Sequence, residues 1–285
     1  MDTIRVRILI TCALMFLTNL LCFSQSKIEK IDQSQISSVY NRSSFGFSIA
    51  SYIVNKAKAT PQSGAYHLKT LYKHGFEAGA DYHIYISNSY SVMVGLHGGA
   101  SATNYKLFIP GSDFNPSIGG NWNEYGPAEW AYYMSVPIWI QKRLFTGSNG
   151  FWNVVAGVNV RYYPMRYSHY GFAENISDVN GNQTKVLEID ATMGNNLRPW
   201  LNYNIGGGYS LLLRNHNYLQ CNLVANFSDK KIIDGTYQIN VSGKPQSTGT
   251  FSANMSYVGL SFSYLSTGTN KRLRKILEEK MKNGN

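Results

Sequence analysis

Eight segments of this chain alternate apolar and polar residues with a period of two: 45–53, 76–86, 89–101, 130–142, 152–162, 198–213, 218–228 and 251–264. That period belongs to half-buried β-strands, and no convincing helical pattern interrupts them. The connections run long (54–75), short (87–89), long (102–129), short (144–150), long (164–197), short (214–217), long (229–248). An up-and-down barrel with both termini on one side requires that order, with tight turns on the side of the termini and long loops on the other. A Greek-key sandwich has no reason to produce it.

The two faces of the strands say what surrounds such a barrel. In 89–101, SYSVMVGLHGGAS, the even positions carry Tyr90, Val92, Val94, Leu96 and Ala100, and the odd ones carry small or polar residues with Met93 and His97. The outer face of a soluble barrel would be rich in Lys, Glu and Thr. Here the polar faces hold Gly, Ser, Asn, Gln and Tyr with isolated charges, which suits a narrow, filled lumen. Charged residues are 15% of the chain, against roughly 25% in a typical soluble domain. Phe45, Tyr90, Trp130, Trp152, Tyr162 and Tyr264 fall near strand ends, where aromatic girdles meet a lipid interface. The pattern therefore predicts an all-β fold, an up-and-down antiparallel transmembrane β-barrel with long extracellular loops. Val92, Val94 and Leu96 should face lipid and His97 the lumen. Turn signals at Asn180-Gly181 and Asp234-Gly235 suggest that two of the long connections are hairpins, which leaves ten strands as the alternative to eight. A shift of apolar parity between Tyr257 and Val258 reads as a β-bulge.

The ends of the chain divide it further. Arg5 and Arg7 precede the apolar run ILITCALMFLTNLLCF at 8–23, which reads as an export signal and is short for a membrane-spanning helix. The expected organisation is a signal peptide at 1–24, an N-terminal periplasmic segment at 25–44, an outer-membrane barrel at 45–265 and a basic periplasmic tail at 266–285. Removal of the signal leaves Cys221 alone, so no intramolecular disulfide and no zinc spacing remain. The net charge of +10 owes much to the tail KRLRKILEEKMK. An exported chain is a poor partner for nucleic acid; an anionic surface or polymer fits better.

The chain resembles a known family through GFEAGADYHIYISNSYSVMVGL as a strand–turn–strand unit, YYMSVPIWIQKRL with its inward Pro137, and the closing strand YVGLSFSYL. It looks like the small outer-membrane β-barrel domain proteins of Gram-negative bacteria, the OmpX-like and porin-family barrels, over 45–265. The resemblance implies a fold and a location in the outer membrane, with outer-membrane lipid as partner, and no activity.

Motifs for chemistry are missing: there is no HExxH, no phosphate loop, no GxSxG and no CxxC. No enzyme activity, cofactor or metal is expected. Glu77 and Asp81 share a face but lie about 13 Å apart along a strand, too far for a carboxylate dyad. A turn centred on Asn88 sets His97 opposite Gly79, diagonal to both carboxylates. Glu77, Asp81, His83 and His97, with Arg143, Arg161 and Arg198 as inward cations, are the candidate polar network of the lumen. Isolated charges in a narrow barrel are costly, so ion pairing among them is expected. The loop FIPGSDFNPSIGGNWNEYGPAEW supplies a second candidate, a binding surface of Phe108, Phe114, Trp122, Tyr125 and Trp130. These features predict a non-enzymatic structural or binding protein acting through surface loops on a surface polymer or protein partner. A narrow porin-like channel and an accessory subunit of a secretion or envelope-assembly complex are the alternatives. The sequence does not set an oligomeric state.

Overall fold

The computed structural model describes residues 43–267, except 88, 115–116, 118–119, 127–128, 146–149, 167, 178–182 and 214–216. The signal segment and nearly all of the N-terminal segment, as well as the basic tail beyond 267, lie outside the described residues. Sixteen strands follow one another: β1 (Ser44–Val54), β2 (Lys58–Ser63), β3 (Lys69–Thr70), β4 (Lys73–Ser87), β5 (Tyr90–Thr103), β6 (Tyr105–Ile109), β7 (Trp122–Tyr125) and β8 (Glu129–Phe145). Then come β9 (Gly150–Tyr162), β10 (Ser168–Ser177), β11 (Gln183–Met193), β12 (Trp200–Leu212), β13 (Tyr218–Phe227), β14 (Ile233–Ile239), β15 (Ser247–Ala253) and β16 (Tyr257–Ser266).

Eight of them close into an antiparallel barrel in the order β1-β16-β13-β12-β9-β8-β5-β4. Closure leaves no sheet edge, because β1 pairs with β4 on one side and with β16 on the other. Side chains alternate inward and outward along every barrel strand. Along β8, Trp130, Tyr132, Met134, Val136, Ile138 and Ile140 point out, while Ala131, Tyr133, Ser135, Trp139 and Gln141 are buried inside. Ten residues at about 3.3 Å each, tilted about 40°, give an apolar band about 25 Å tall. Aromatic rings bound it. Phe76, Trp130, Tyr132, Tyr203 and Phe227 lie toward the end with the long connections, and Phe45, Phe47, Tyr90, Trp152 and Tyr264 toward the end with the turns. Val92, Val94, Leu96 and Cys221 lie on this outer face, whereas Met93 and His97 are buried in the lumen.

The long connections are not loose. They fold above one mouth of the barrel into a five-stranded sheet, β10-β11-β14-β15-β2, and a three-stranded sheet, β3-β6-β7. We call this layer the cap. Leu187, Ile189, Ile233, Tyr237, Ile239 and Phe251 of the larger sheet join Tyr105, Leu107 and Ile109 of the smaller in one core, which reaches the barrel mouth through Ala131 and Trp200. Fully burying each such aliphatic side chain contributes about 1.5–3 kcal/mol, enough to order connections that would otherwise be long and costly to fix.

Two expectations are corrected here. The segment 251–264 is not one bulged strand: β15 ends at Ala253, Met255 takes a left-handed backbone (φ 59), and β16 starts at Tyr257. The parity shift marks the passage from cap to barrel. Asp234-Gly235 is not a turn but lies inside β14, opposite Thr192 and Ala191. Gly235 is required because a Cβ there would overlap the Asp190 carbonyl and the Ala191 backbone. The turn comes later, where Gly243 has φ 80 and the Lys244 amide donates to the Val241 carbonyl at 3.0 Å. The Asn180-Gly181 signal lies outside the described residues. The barrel itself has eight strands, not ten.

Candidate functional site

Register brings the polar residues of the lumen together. β4 and β5 pair with Gly79 opposite His97, Glu77 opposite Gly99 and Asp81 opposite Gly95. The absent side chains open a space that the imidazole fills. At Gly79 even a methyl would overlap the His97 ring and the Leu96 carbonyl. His97 then meets Glu77 Oε1 through Nδ1 at 2.7 Å and Asp81 Oδ1 through Nε2 at 2.7 Å. A ring donating to both carboxylates carries a proton on each nitrogen. The second oxygen of Glu77 accepts from Tyr133 Oη at 2.8 Å and from Arg161 Nη2 at 3.3 Å. Two carboxylates thus face one imidazolium and one guanidinium, and the layer balances.

Aromatic rings complete it. The Arg161 guanidinium carbon lies 4.1 Å from the centre of the Tyr133 ring and 5.1 Å from that of Tyr257. Tyr52 stacks on Tyr257 at 4.0 Å and hydrogen-bonds Tyr133. Its hydroxyl also donates to the Ala100 carbonyl at 3.1 Å. Arg161 is fully buried, a placement that a guanidinium tolerates only when paired and covered. Nearer the turns, Met93, Trp139, Val155 and Val224 form an apolar plug, with Trp139 Nε1 donating to Asn159 Oδ1 at 2.7 Å. The void beside Ser48, Glu77, His97, Trp139 and Tyr257 is about 20 Å³, room for a single water.

Ser48 Oγ sits 3.2 Å from His97 Nε2, so a serine, a histidine and a carboxylate lie in line. The arrangement does not make a nucleophile. Asp81 takes the same nitrogen at the shorter distance, and all four residues are buried around a space that holds only water.

Of the seven residues expected in the lumen, Glu77, Asp81, His83, His97, Arg143 and Arg161 are buried there. Glu77, Asp81, His97 and Arg161 form one ion-paired chain, whereas Arg143 lies toward the turns with its guanidinium carbon 5.5 Å from the centre of the Phe151 ring. Arg198 is the correction. It is exposed and lies before β12, in a turn where Asn196 and Leu197 have φ 51 and 58 and the Arg198 amide donates to the Asn195 carbonyl at 2.9 Å. Pro199 follows, and the strand begins only at Trp200. The sequence reading left Tyr133, Tyr257, Tyr52 and Ser48 out of the network. The inward parity of Tyr52 and Ser48 was visible, but no motif marks a tyrosine as a partner for a buried arginine.

The five loop residues separate. Phe114 is buried in the cap core and Trp122 packs half-buried against it, so neither offers a binding face. Trp130 belongs to the aromatic belt of the barrel, 6.0 Å from Phe76. Phe108 and Tyr125 alone of the five are exposed on the cap, at 45% and 57%. Nearby, burial and a hydrogen bond to Asp113 at 2.9 Å push the Tyr66 hydroxyl up to about 12. Partial burial, and then the charge of Glu174, raise Glu124 above the ordinary carboxylate range.

Together these features define a closed eight-stranded antiparallel barrel with a filled lumen and a β-structured cap. No family model matches the sequence, and no curated protein matches it. Three of its solved structural neighbours are outer-membrane β-barrel proteins or domains. OprG from Pseudomonas aeruginosa aligns over 80% of this chain and 99% of its own at 10% identity, with a TM-score of 0.34. Ail of Yersinia pestis, solved in complex with the heparin analogue sucrose octasulfate, aligns over 78% and 99% at 11% identity, with a TM-score of 0.27. The β-domain of the Bordetella autotransporter BrkA aligns over 79% and 98% at 12% identity, with a TM-score of 0.23. Likeness of that extent bears on neither activity nor ligand, and the chain's own residues carry the case.

Proposed function

We propose that this chain is a non-enzymatic outer-membrane barrel of a Gram-negative bacterium, a sealed anchor that holds the cap outside the cell. Export removes 1–24, and 25–44 and 266–285 remain on the periplasmic side with the turns. The observation that carries the reading is the apolar, aromatic-bounded exterior of about 25 Å around a lumen packed with ion pairs. In water that exterior would be a large exposed apolar surface, far beyond what a monomeric soluble protein tolerates. In lipid it is the favoured solvent, and the charged residues are hidden where they pair. Among the described residues, the ion-paired layer and the Met93, Trp139, Val155 and Val224 cluster occupy the lumen, which supports assigning the work to the cap.

The test is cell fractionation followed by gel electrophoresis in SDS, with and without boiling. A band in the outer-membrane fraction whose mobility changes on heating supports a closed barrel in lipid. A soluble periplasmic protein without that change would overturn the reading.

A further inference from the structure

We propose that the outward face of the three-stranded cap sheet binds an acidic polysaccharide, along a track that runs from Lys69 and Lys106 past Phe108 to Lys244. The proposal rests on the reading of the cap as the external part of the molecule. Lys69 of β3 lies directly opposite Lys106 of β6, and Lys106 directly opposite Tyr125 of β7. Like charges in that position repel, and nothing in the fold requires lysine at either site. Lys106 Nζ donates to Tyr125 Oη at 2.7 Å and lies 4.7 Å from the ring centre, which satisfies one proton and leaves the charge.

Two other exposed lysines of the cap are compensated, whereas Lys58, Lys230 and Lys244 have no carboxylate within ion-pair reach among the described residues. Lys185 meets Glu188 at 3.1 Å and Lys231 meets Asp234 at 3.1 Å. Lys69 and Lys106 have no carboxylate within ion-pair reach among the described residues. What sets Lys69 and Lys106 apart is that they stand directly opposite one another on adjacent strands, where an anion would relieve their repulsion.

Two residues along β6 from Lys106, on the same face, stands the exposed ring of Phe108 with Asn123 opposite. Phe108 also forms one wall of a hollow of about 480 Å³, shared with Tyr66, Pro110, Asp113, Lys244 and Pro245. That volume falls in the range of small-ligand sites. From Lys106 to Pro110 the strand runs about 13 Å. Two ammonium groups, flat rings and an amide thus lead to a hollow that holds a third ammonium, Lys244, and the Asp113 carboxylate, which accepts from the Tyr66 hydroxyl. Rings offer the apolar face of a sugar a platform, the amide reaches a hydroxyl, and the lysines meet sulfate, phosphate or carboxylate groups along the polymer. A compact anion would use the lysines and leave the rings idle.

The test uses the full-length protein purified in detergent, with dextran sulfate, uncharged dextran of the same length and inorganic phosphate as probes. Dextran sulfate should bind, more weakly as salt rises, and at least about tenfold more tightly than either other probe. Lys69→Ala with Lys106→Ala should weaken it about tenfold. Phe108→Ala should weaken it while leaving the salt dependence unchanged. Lys185→Ala with Lys231→Ala, on the other sheet, should change nothing. Each variant must keep its heat-dependent gel mobility, which reports the barrel independently of the cap. No binding of dextran sulfate, an unchanged Lys69/Lys106 variant, or an equal loss from the Lys185/Lys231 variant would overturn the site. Phosphate competing as well as the polymer would reduce it to a simple anion patch and also overturn the proposal. A folded, surface-exposed cap that fails to bind sinks this inference alone. Binding by a protein that fractionates as soluble sinks the anchor reading alone.

Discussion

Glu77 holds two cations at once, His97 through one oxygen and Arg161 through the other. Both cations are buried, so the cost of losing the carboxylate is not the loss of two bonds but the uncovering of two charges. Glu77→Ala should lower the unfolding free energy of the reconstituted barrel by about 3–5 kcal/mol, read from urea denaturation. Equal stability of this variant and the wild type would mean that the network does not stiffen the lumen. A different variant asks about shape with the charges kept. Gly79→Val should force the His97 ring off its carboxylates and cost about 1–3 kcal/mol. A Gly79→Val protein as stable as wild type would show that the ring has room to move. At this scale the sequence showed much: the inward parity of Glu77, Asp81 and His97 followed from strand alternation, and their convergence from one turn length. Arg198 misled because alternation was extended back across Pro199. The chain there has already left the sheet, as the left-handed Asn196 and Leu197 show.

Among the elements, the barrel strands were legible one by one, whereas of the cap only the hairpins β10-β11 and β14-β15 were foreshadowed. A barrel strand has one face in a lumen and one in a different solvent, so its residues must alternate over ten or more positions. Most cap strands are short, and the longer β10 and β11 sit, with β14, on a core whose other wall comes from distant segments. Asp234-Gly235 looked like a turn because the local propensity is real. The glycine is there because β11 passes too close for a side chain. Likewise Phe114 read as a surface ring and serves as core. The cap should therefore fail separately from the barrel. Gly235→Val should separate β14 from β11 and expose the cap to trypsin, whereas the heat-dependent mobility of the barrel should persist. A variant that loses the barrel as well would show that cap and barrel fold as one unit.

The whole molecule combines an apolar exterior, a lumen closed by charge pairs and tyrosines, and an ordered cap over one mouth. Each part limits what the others can do. A plugged eight-stranded barrel leaves transport little space, and the cap core adjoins that mouth through Ala131 and Trp200. The proposed surface recognition would then fall to the cap, at the facing lysines of the three-stranded sheet. The central claim is that the lumen is shut. The most direct measurement is conductance across a planar bilayer after insertion of the purified, heat-shifting protein. The account predicts a silent membrane from the wild type and from Glu77→Ala alike, because the plug of Met93, Trp139, Val155 and Val224 stays in place. Reproducible single-channel steps from the wild type would contradict it and make the lumen a pore.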